Sequence, residues 1–322
     1  MQTALENFPS QFHFQPVIEN KSRLKKYKQV IVLGMGGSHL AADLVQLFDP
    51  SVPLRIHSDY GLPAMDKKTL KESLILASSY SGNTEEVIDG LEIALKQKLN
   101  IAVLAVGGKL IDMAKKQKLP YVQMPNTGIQ PRSALGLSLI GMLSLLGQKN
   151  LLKQCREVAN MNAKKIQKSG EAFAKTLLDQ IPVVYSSKSN MALAYNWKIK
   201  LNETGKIPAF YNIIPELNHN EMTGFDIKDS IKHLGEKFHF IFLQDSEDHL
   251  KNQKRMKVTS TLYKKRGLHV TTLALKGKTR FEKIFSSLLL ADWTAVALAN
   301  HYGLESEQVP MVEEFKKLVS RQ

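Results

Sequence analysis

Apolar residues along this chain fall into short β-branched runs that alternate with longer segments of helical spacing. The runs in the first half predict strands over 29–34, 54–58, 73–78, 101–106 and 121–124. Helical spacing in the remaining segments predicts helices over 39–48, 85–97, 110–117 and 133–146. Because buried parallel strands have continuous apolar runs and are joined by helices, this pattern favours a doubly wound α/β domain with helices on both faces.

The second half repeats this layout after a lysine-rich stretch, 151–180, that has helical spacing. Strands are predicted over 181–185, 238–243 and 269–275, and helices over 190–203, 248–266, 280–301 and 312–319. A length of 322 residues suits two domains of ordinary size. We therefore predict an N-terminal domain over 1–150, with an N-terminal arm, and a second domain over 151–322, with a linking helix and a helical tail.

Composition narrows the class of protein. Cys155 is the single cysteine, which excludes an internal disulfide framework and a thiolate metal cluster. The longest apolar stretches, 134–146 and 284–299, have the character of buried helices, and the first residues do not resemble a signal peptide. We expect a cytoplasmic protein that does not bind a membrane. The net charge of +14 leaves nucleic acid, an anionic surface or small anions open as partners.

A glycine-rich turn, Gly34–Ser38, follows the first predicted strand. It departs from the dinucleotide-binding pattern, because His39 stands where a third glycine is needed and no acidic residue ends the next strand. A tight turn that needs a positive φ explains these glycines about as well as a ligand does. We therefore expect no nicotinamide or flavin cofactor, and the sequence suggests no role for His39.

A second turn carries four hydroxyl groups just before a predicted helix: Ser78, Ser79, Ser81 and Thr84. Hydroxyls and backbone N–H groups at a helix N-terminus bind anions without a fixed positive charge. Helix capping accounts for one or two of these residues but not for four. Because no Walker lysine follows either turn, the pattern favours a monophosphate over a nucleoside triphosphate.

The chain resembles proteins with a sugar isomerase (SIS) domain and, among these, the bifunctional phosphoglucose/phosphomannose isomerases. The similar segments are Gly34–Ser38, Ser79–Glu86, Gln130–Gly136, Asn202–Ala209, Pro215–Glu221 and Pro310–Lys316, and the resemblance covers about residues 29–319. It implies two SIS-type doubly wound α/β domains with parallel sheets, plus a C-terminal helical tail. It also implies that Gly36, Gly37, Ser38, Ser79, Ser81 and Thr84 bind the phosphate of the substrate.

The resemblance further implies an aldose–ketose isomerase of glucose 6-phosphate, and of mannose 6-phosphate, giving fructose 6-phosphate. Glu203 would carry the proton between C1 and C2 through a cis-enediol(ate), and Arg132 would stabilise the charge of that intermediate. His219, reaching the site from the neighbouring subunit of a homodimer, would open the sugar ring, and Lys316 would assist it. No two histidines here are spaced four apart as metal ligands, so we expect no metal ion, and we expect no other cofactor.

Each of these side chains also has an ordinary structural interpretation. Without the resemblance, Glu203 and His219 are more often exposed polar residues, and Arg132 or Lys316 more often faces solvent at a helix. Family members often have Thr where this chain has Val309, a position tied to the acceptance of both epimers. A non-catalytic sugar-phosphate sensor and another aminosugar-converting SIS enzyme remain alternatives, whereas no DNA-binding motif supports a nucleic-acid partner.

Overall fold

The structure is a computed structural model, which describes residues 1–319; positions 320–322 of the predicted second domain lie outside the described residues. Contacts divide the chain into two compact units. The N-terminal unit consists of Glu6–Met161 with Arg280–Glu282, and the C-terminal unit of Met1–Leu5, Asn162–Thr279 and the chain from Lys283 onward. The predicted boundary after residue 150 falls inside Glu6–Met161, and the two-domain division at that residue stays a prediction.

Nine strands and fourteen α-helices form the described chain. The strands are β1 (Gln29–Leu33), β2 (Leu54–His57), β3 (Ser73–Ser78), β4 (Asn100–Ala105), β5 (Tyr121–Gln123), β6 (Ile181–Ser187), β7 (Phe210–Ile214), β8 (Phe238–Gln244) and β9 (His269–Ala274). The helices are α1 (Gln2–Glu6), α2 (Leu40–Phe48), α3 (Lys67–Lys71), α4 (Glu85–Lys96), α5 (Gly108–Gln117), α6 (Leu135–Leu145), α7 (Lys149–Cys155), α8 (Ala163–Thr176), α9 (Met191–Glu203), α10 (Glu221–Gly224), α11 (Lys232–Gly235), α12 (Leu250–Lys265), α13 (Arg280–His301) and α14 (Pro310–Val319). None of the helices in residues 1–319 is long and apolar enough to cross a bilayer.

The N-terminal unit is built on a five-stranded parallel sheet in the order β2-β1-β3-β4-β5. Its central strands β3 and β4 are buried along their whole length, as continuous apolar runs predict. The winding reverses between β1 and β3, and ligands of open α/β sheets bind beyond the carboxyl ends of strands at such a point. The glycine-rich turn and the serine turn follow these two strands.

The C-terminal unit has a four-stranded parallel sheet in the order β7-β6-β8-β9. Its core is rich in aromatic side chains from β6, β8 and α12. Tyr185, for example, packs edge-on against Phe242 at 5.2 Å between ring centroids. Two doubly wound parallel sheets flanked by helices confirm the predicted fold class.

The structure corrects the predicted elements at 151–180 and at β7, and it adds four short helices that were not predicted, α1, α3, α10 and α11. The stretch 151–180 is not one helix, because α7 gives way to a 3-10 turn and Asn162 then caps α8 by accepting a hydrogen bond from the Lys165 N–H. No pattern in the sequence predicted β7, an edge strand whose first residues, Phe210 and Tyr211, are exposed. Asn212 interrupts the apolar run of β7, so this strand lacks the continuous pattern that marks a buried one.

Candidate active site

The glycine-rich turn and the serine turn are joined directly at the carboxyl end of the first sheet. The Tyr80 N–H donates to Ser38 Oγ at 2.9 Å, and Ser78 Oγ donates to the Ser38 carbonyl at 2.9 Å. Both bonds are buried, so they hold the two turns at a fixed separation. Ser38, predicted as a phosphate ligand, therefore has at least one structural task as well.

Within the serine turn the hydroxyls are arranged around the start of α4. Ser79 Oγ and Thr84 Oγ1 lie 2.7 Å apart, and Ser79 Oγ accepts from the Gly82 N–H at 3.1 Å. Thr84 occupies the N-cap position of α4, but its side chain makes no capping bond. The capping interpretation of Thr84 therefore fails, and the positive end of α4 faces a hydroxyl pair rather than a capping oxygen.

Ser81 differs from its neighbours because it is exposed, and its Oγ accepts a hydrogen bond from the Asn83 N–H at 3.2 Å. The serine turn thus presents one exposed hydroxyl beside a bonded pair. Ser79 is fully buried, so Ser81 and the partly buried Thr84 are the hydroxyls open to solvent here, and such groups at a helix N-terminus suit a small anion.

The turn between β4 and α5 braces the serine turn from the other side, which the sequence did not predict. Gly82 has φ of +74°, and a Cβ built there would lie 1.8 Å from the Gly107 carbonyl oxygen. Asn83 Oδ1 accepts a hydrogen bond from the Lys109 N–H at 3.0 Å. Glycine is required at position 82 both for its backbone conformation and for this close approach.

Arg132 lies against the glycine-rich turn. Gly36 has φ of +50°, so the tight-turn interpretation of this glycine is correct. A Cβ at Gly37 would come within 3.0 Å of the Arg132 backbone nitrogen. The absence of a side chain at Gly37 therefore lets Arg132, which is 1% exposed, approach the glycine-rich turn.

The N-terminal arm supports the segment that carries Arg132. Gln11 donates from Nε2 to the Ser133 carbonyl at 2.8 Å, and its Oε1 accepts from the Gly136 N–H at 3.0 Å. Phe8 and Phe12 on the same arm are buried. The arm was expected from the sequence, but no signal there pointed to Gln11.

His39, for which the sequence offered no role, is also buried near these turns. Its Nδ1 lies 2.7 Å from Asp43 Oδ2, one turn further along α2. The pair has the i, i+4 spacing that brings side chains together on a helix.

Glu203 belongs to the C-terminal unit, where it is the partly buried last residue of α9. The Lys206 ammonium donates to the Glu203 carbonyl at 2.7 Å and also to the Gln308 carbonyl, just before α14. One turn earlier on α9, Lys200 Nζ bonds both carboxylate oxygens of Asp292 at 2.7 Å in a buried ion pair with α13. The end of α9 is thus fixed by two lysines, and Lys200 is not aimed at a ligand.

Beyond the carboxyl ends of β6 and β8, the second sheet also has a group of polar side chains, and these are bonded to one another. Ser187 Oγ donates to Asp248 Oδ1 at 2.5 Å, and Lys283 Nζ lies 2.8 Å from Asp245 Oδ1. Because carboxylates already occupy this place, an anionic ligand would meet like charge there.

His219 ends a 3-10 helix, Glu216–His219, that follows β7. Its side chain is exposed and makes no hydrogen bond or ion pair with any described residue of the chain. Lys316 is exposed on α14, where its ammonium pairs with Glu313 Oε1 at 2.8 Å. Within residues 1–319, neither Lys316 nor His219 is bonded to Glu203.

The chain is similar to known proteins over nearly its whole length. A family model described as bacterial phospho-glucose isomerase C-terminal SIS domain matches residues 166–319. A bifunctional phosphoglucose/phosphomannose isomerase of Aquifex aeolicus is 30% identical over 318 residues, which is 97% of this chain and 96% of the relative. The protein of the same name from Caldicellulosiruptor bescii is 32% identical over 89% of this chain and 88% of its own.

Solved structures share the fold. A hypothetical protein from Thermus thermophilus superposes with a TM-score of 0.71 at 16% identity, covering 98% of this chain and 89% of the other. Among residues 1–319, no group of three or more His, Cys, Asp or Glu side chains is placed to hold a metal ion.

Proposed function

This chain belongs to the family of bifunctional phosphoglucose/phosphomannose isomerases, and we propose that it interconverts glucose 6-phosphate and mannose 6-phosphate with fructose 6-phosphate. The observation that carries the proposal is the hydroxyl-lined turn at the start of α4, bonded to the glycine-rich turn through Ser38. Such a turn recognises a phosphate monoester by hydrogen bonds and by the helix dipole. Cytoplasm is the compartment that we propose for it.

In this proposal the phosphate accepts hydrogen bonds from Ser79, Ser81 and Thr84, while Gly36, Gly37 and Ser38 line the same site. The bonded pair of Ser79 and Thr84 would turn its protons towards the incoming oxygens. Because the anchors are neutral, affinity depends on the number of donors and on their fixed geometry rather than on a counter-ion.

Proton transfer is assigned to Glu203. A carboxylate takes the proton from C2 of the open-chain aldose and returns it to C1 on the same face, through a cis-enediol(ate). Arg132 is the proposed partner of the developing negative charge, since a guanidinium stays charged and offers several donors. The hydrogen bond from Lys206 to the Glu203 carbonyl would hold the base in place at the end of α9.

Ring opening is assigned to His219, assisted by Lys316. The exposed, unpartnered imidazole in the described chain supports a role towards a second copy of the protein, and we propose a homodimer in which His219 serves the partner's site. Lys316 would have to exchange its bond with Glu313 for one with the substrate.

The decisive variant is Glu203→Gln, which keeps the shape of the side chain and removes its basicity. We expect kcat to fall by about 10³-fold, the order of a general-base contribution, with KM for fructose 6-phosphate within a few fold of wild type. A coupled assay measures the rates with each aldose phosphate. Comparing the wild-type rates for the two sugars also tests the mannose reaction, which the residue at position 309, here Val309, is expected to influence. Glu236→Gln, an exposed glutamate in the same unit, is the matched control. Near wild-type turnover by Glu203→Gln would refute the mechanism.

A further inference from the structure

Glu221 stands two residues after His219 and is held at both of its carboxylate oxygens. The Tyr185 hydroxyl donates to Oε1, and Asn212 Nδ2 donates to Oε2. The two donors lie on neighbouring parallel strands, β6 and β7, and in the register of these strands they are direct partners. A side chain gripped at both oxygens from two strands has little freedom to move.

The tyrosine of this grip is itself immobile. Tyr185 has no exposed surface, and its ring packs against Phe240, Phe242 and Tyr263. Burial, together with Tyr263 and Glu221, raises the pKa of Tyr185 far above its usual range. The hydroxyl therefore remains a proton donor to Glu221 across the physiological range of pH.

The rest of the segment before Glu221 is also tied down. Leu217 is buried in the aromatic core, and Asn218 Nδ2 donates to Thr259 Oγ1 on α12 at 2.8 Å. Asn220 Nδ2 donates to Glu216 Oε1 at 2.9 Å, which closes the turn on itself. The neighbours of His219 are thus fixed. Among residues 216–221, only His219 has an exposed polar side chain that makes no hydrogen bond or ion pair with residues 1–319.

We infer that Glu221 is a positioning residue, which fixes the direction of His219 through the Tyr185–Glu221–Asn212 grip. The inference rests on the proposed function, because it treats His219 as the group that opens the sugar ring. An exposed imidazole on a short 3-10 turn gains catalytic value only if its backbone is rigid, since a misplacement of about 1 Å costs on the order of 10²-fold in rate.

A double-mutant cycle tests the inference with two ways of weakening the grip. Glu221→Gln and Tyr185→Phe should each lower kcat by about 10-fold to 100-fold, with KM nearly unchanged. In a His219→Ala background, the same substitutions should produce no further loss, because a residue that acts through His219 has nothing left to position. Tyr302→Phe is the matched control: it removes a hydroxyl of the same unit that bonds Asp179 and no residue of the grip, and it should leave kcat at the wild-type value.

A second measurement needs no turnover and so separates this inference from the proposed function. Amide hydrogen exchange of a peptide that spans 215–222 should become faster in Glu221→Gln and Tyr185→Phe, and should stay unchanged in Tyr302→Phe. If exchange is unaltered, or if Glu221→Gln costs as much in the His219→Ala background as in wild type, Glu221 does not position His219. If instead the wild-type chain converts neither sugar phosphate, or His219→Ala turns over normally, it is the proposed function that fails, whatever the exchange data show.

Discussion

Gly82 decides how tightly the serine turn is braced. It combines a positive φ with an approach that brings its missing Cβ within 1.8 Å of the Gly107 carbonyl. Gly147 also has a positive φ but has nothing within 4 Å of its missing Cβ. The two glycines therefore separate backbone strain from steric displacement.

We expect Gly82→Ala to raise KM for the sugar phosphate at least 10-fold and to lower Tm by more than Gly147→Ala does. The reason is that the alanine methyl must push the serine turn away from the turn before α5, which misplaces Ser81 and Thr84. Steady-state kinetics and thermal unfolding of both variants measure the effect. Equal KM values for the two variants would contradict this account of the site.

At the residue scale, sequence reasoning could propose hydrogen-bond donors for a phosphate but could not predict the residues that support them. Four hydroxyls before a helix predicted Ser79, Ser81 and Thr84, because local spacing determines a helix N-terminus. Gln11 and Lys206 act through bonds to backbone carbonyls that are distant in sequence, Ser133 and Gln308. No local pattern records such a bond, since any long polar side chain can make it.

At the scale of one strand, β8 carries a histidine where the sheet is buried. His239 is 5% exposed, and its Nε2 lies 2.8 Å from Thr271 Oγ1 on β9. Burial, and secondarily the neighbouring His269, lower the pKa of His239 to about 4. The folded protein therefore holds this imidazole neutral, whereas the unfolded chain protonates it below about pH 6.5.

It follows that the free energy of unfolding should fall as pH drops from about 6.5 towards 4, because the unfolded state then binds the extra proton. For this pair of pKa values, the loss between pH 7 and pH 5 is about 2 kcal/mol. Urea unfolding at both pH values measures it, and His239→Gln should remove most of the difference. His269→Gln should retain most of the difference in unfolding free energy, since burial is the main cause of the lowered pKa of His239. If that difference disappears in His269→Gln, the pH dependence belongs to His269 and not to the burial of His239.

Strands with a continuous apolar run could be predicted from the sequence, whereas β7, whose apolar run Asn212 interrupts, was missed. β3, β4 and α6 lie in the interior, so their sequences are largely apolar. β7 is an edge strand, and its Asn212 donates a hydrogen bond to Glu221. This polar residue interrupts the apolar pattern from which a strand is predicted. Asn212, the side chain that interrupts the apolar pattern of β7, is thus one of the two that bond Glu221.

For the whole molecule, the charge of +14 is the property that the site itself does not explain. The proposed phosphate anchors are hydroxyls, so the excess of lysine can act on a dianionic substrate only from a distance. We expect kcat/KM to decrease severalfold between about 10 mM and 150 mM salt, as screening shortens the Debye length to about 8 Å, with kcat unchanged. Steady-state rates over a salt series test this, and an invariant kcat/KM would restrict the charge to a role in solubility.

The two hydrogen bonds of the Lys206 ammonium also have a consequence for the making of the protein on the ribosome. The second acceptor, the Gln308 carbonyl, is 102 residues further along the chain. At about 5–20 residues per second, synthesis reaches Gln308 about 5 to 20 seconds after Lys206. A nascent chain can thus complete the sheet beside α9 before the hydrogen bond from Lys206 to Gln308 is available, so the surroundings of the proposed base are completed late in translation even though its helix is made early.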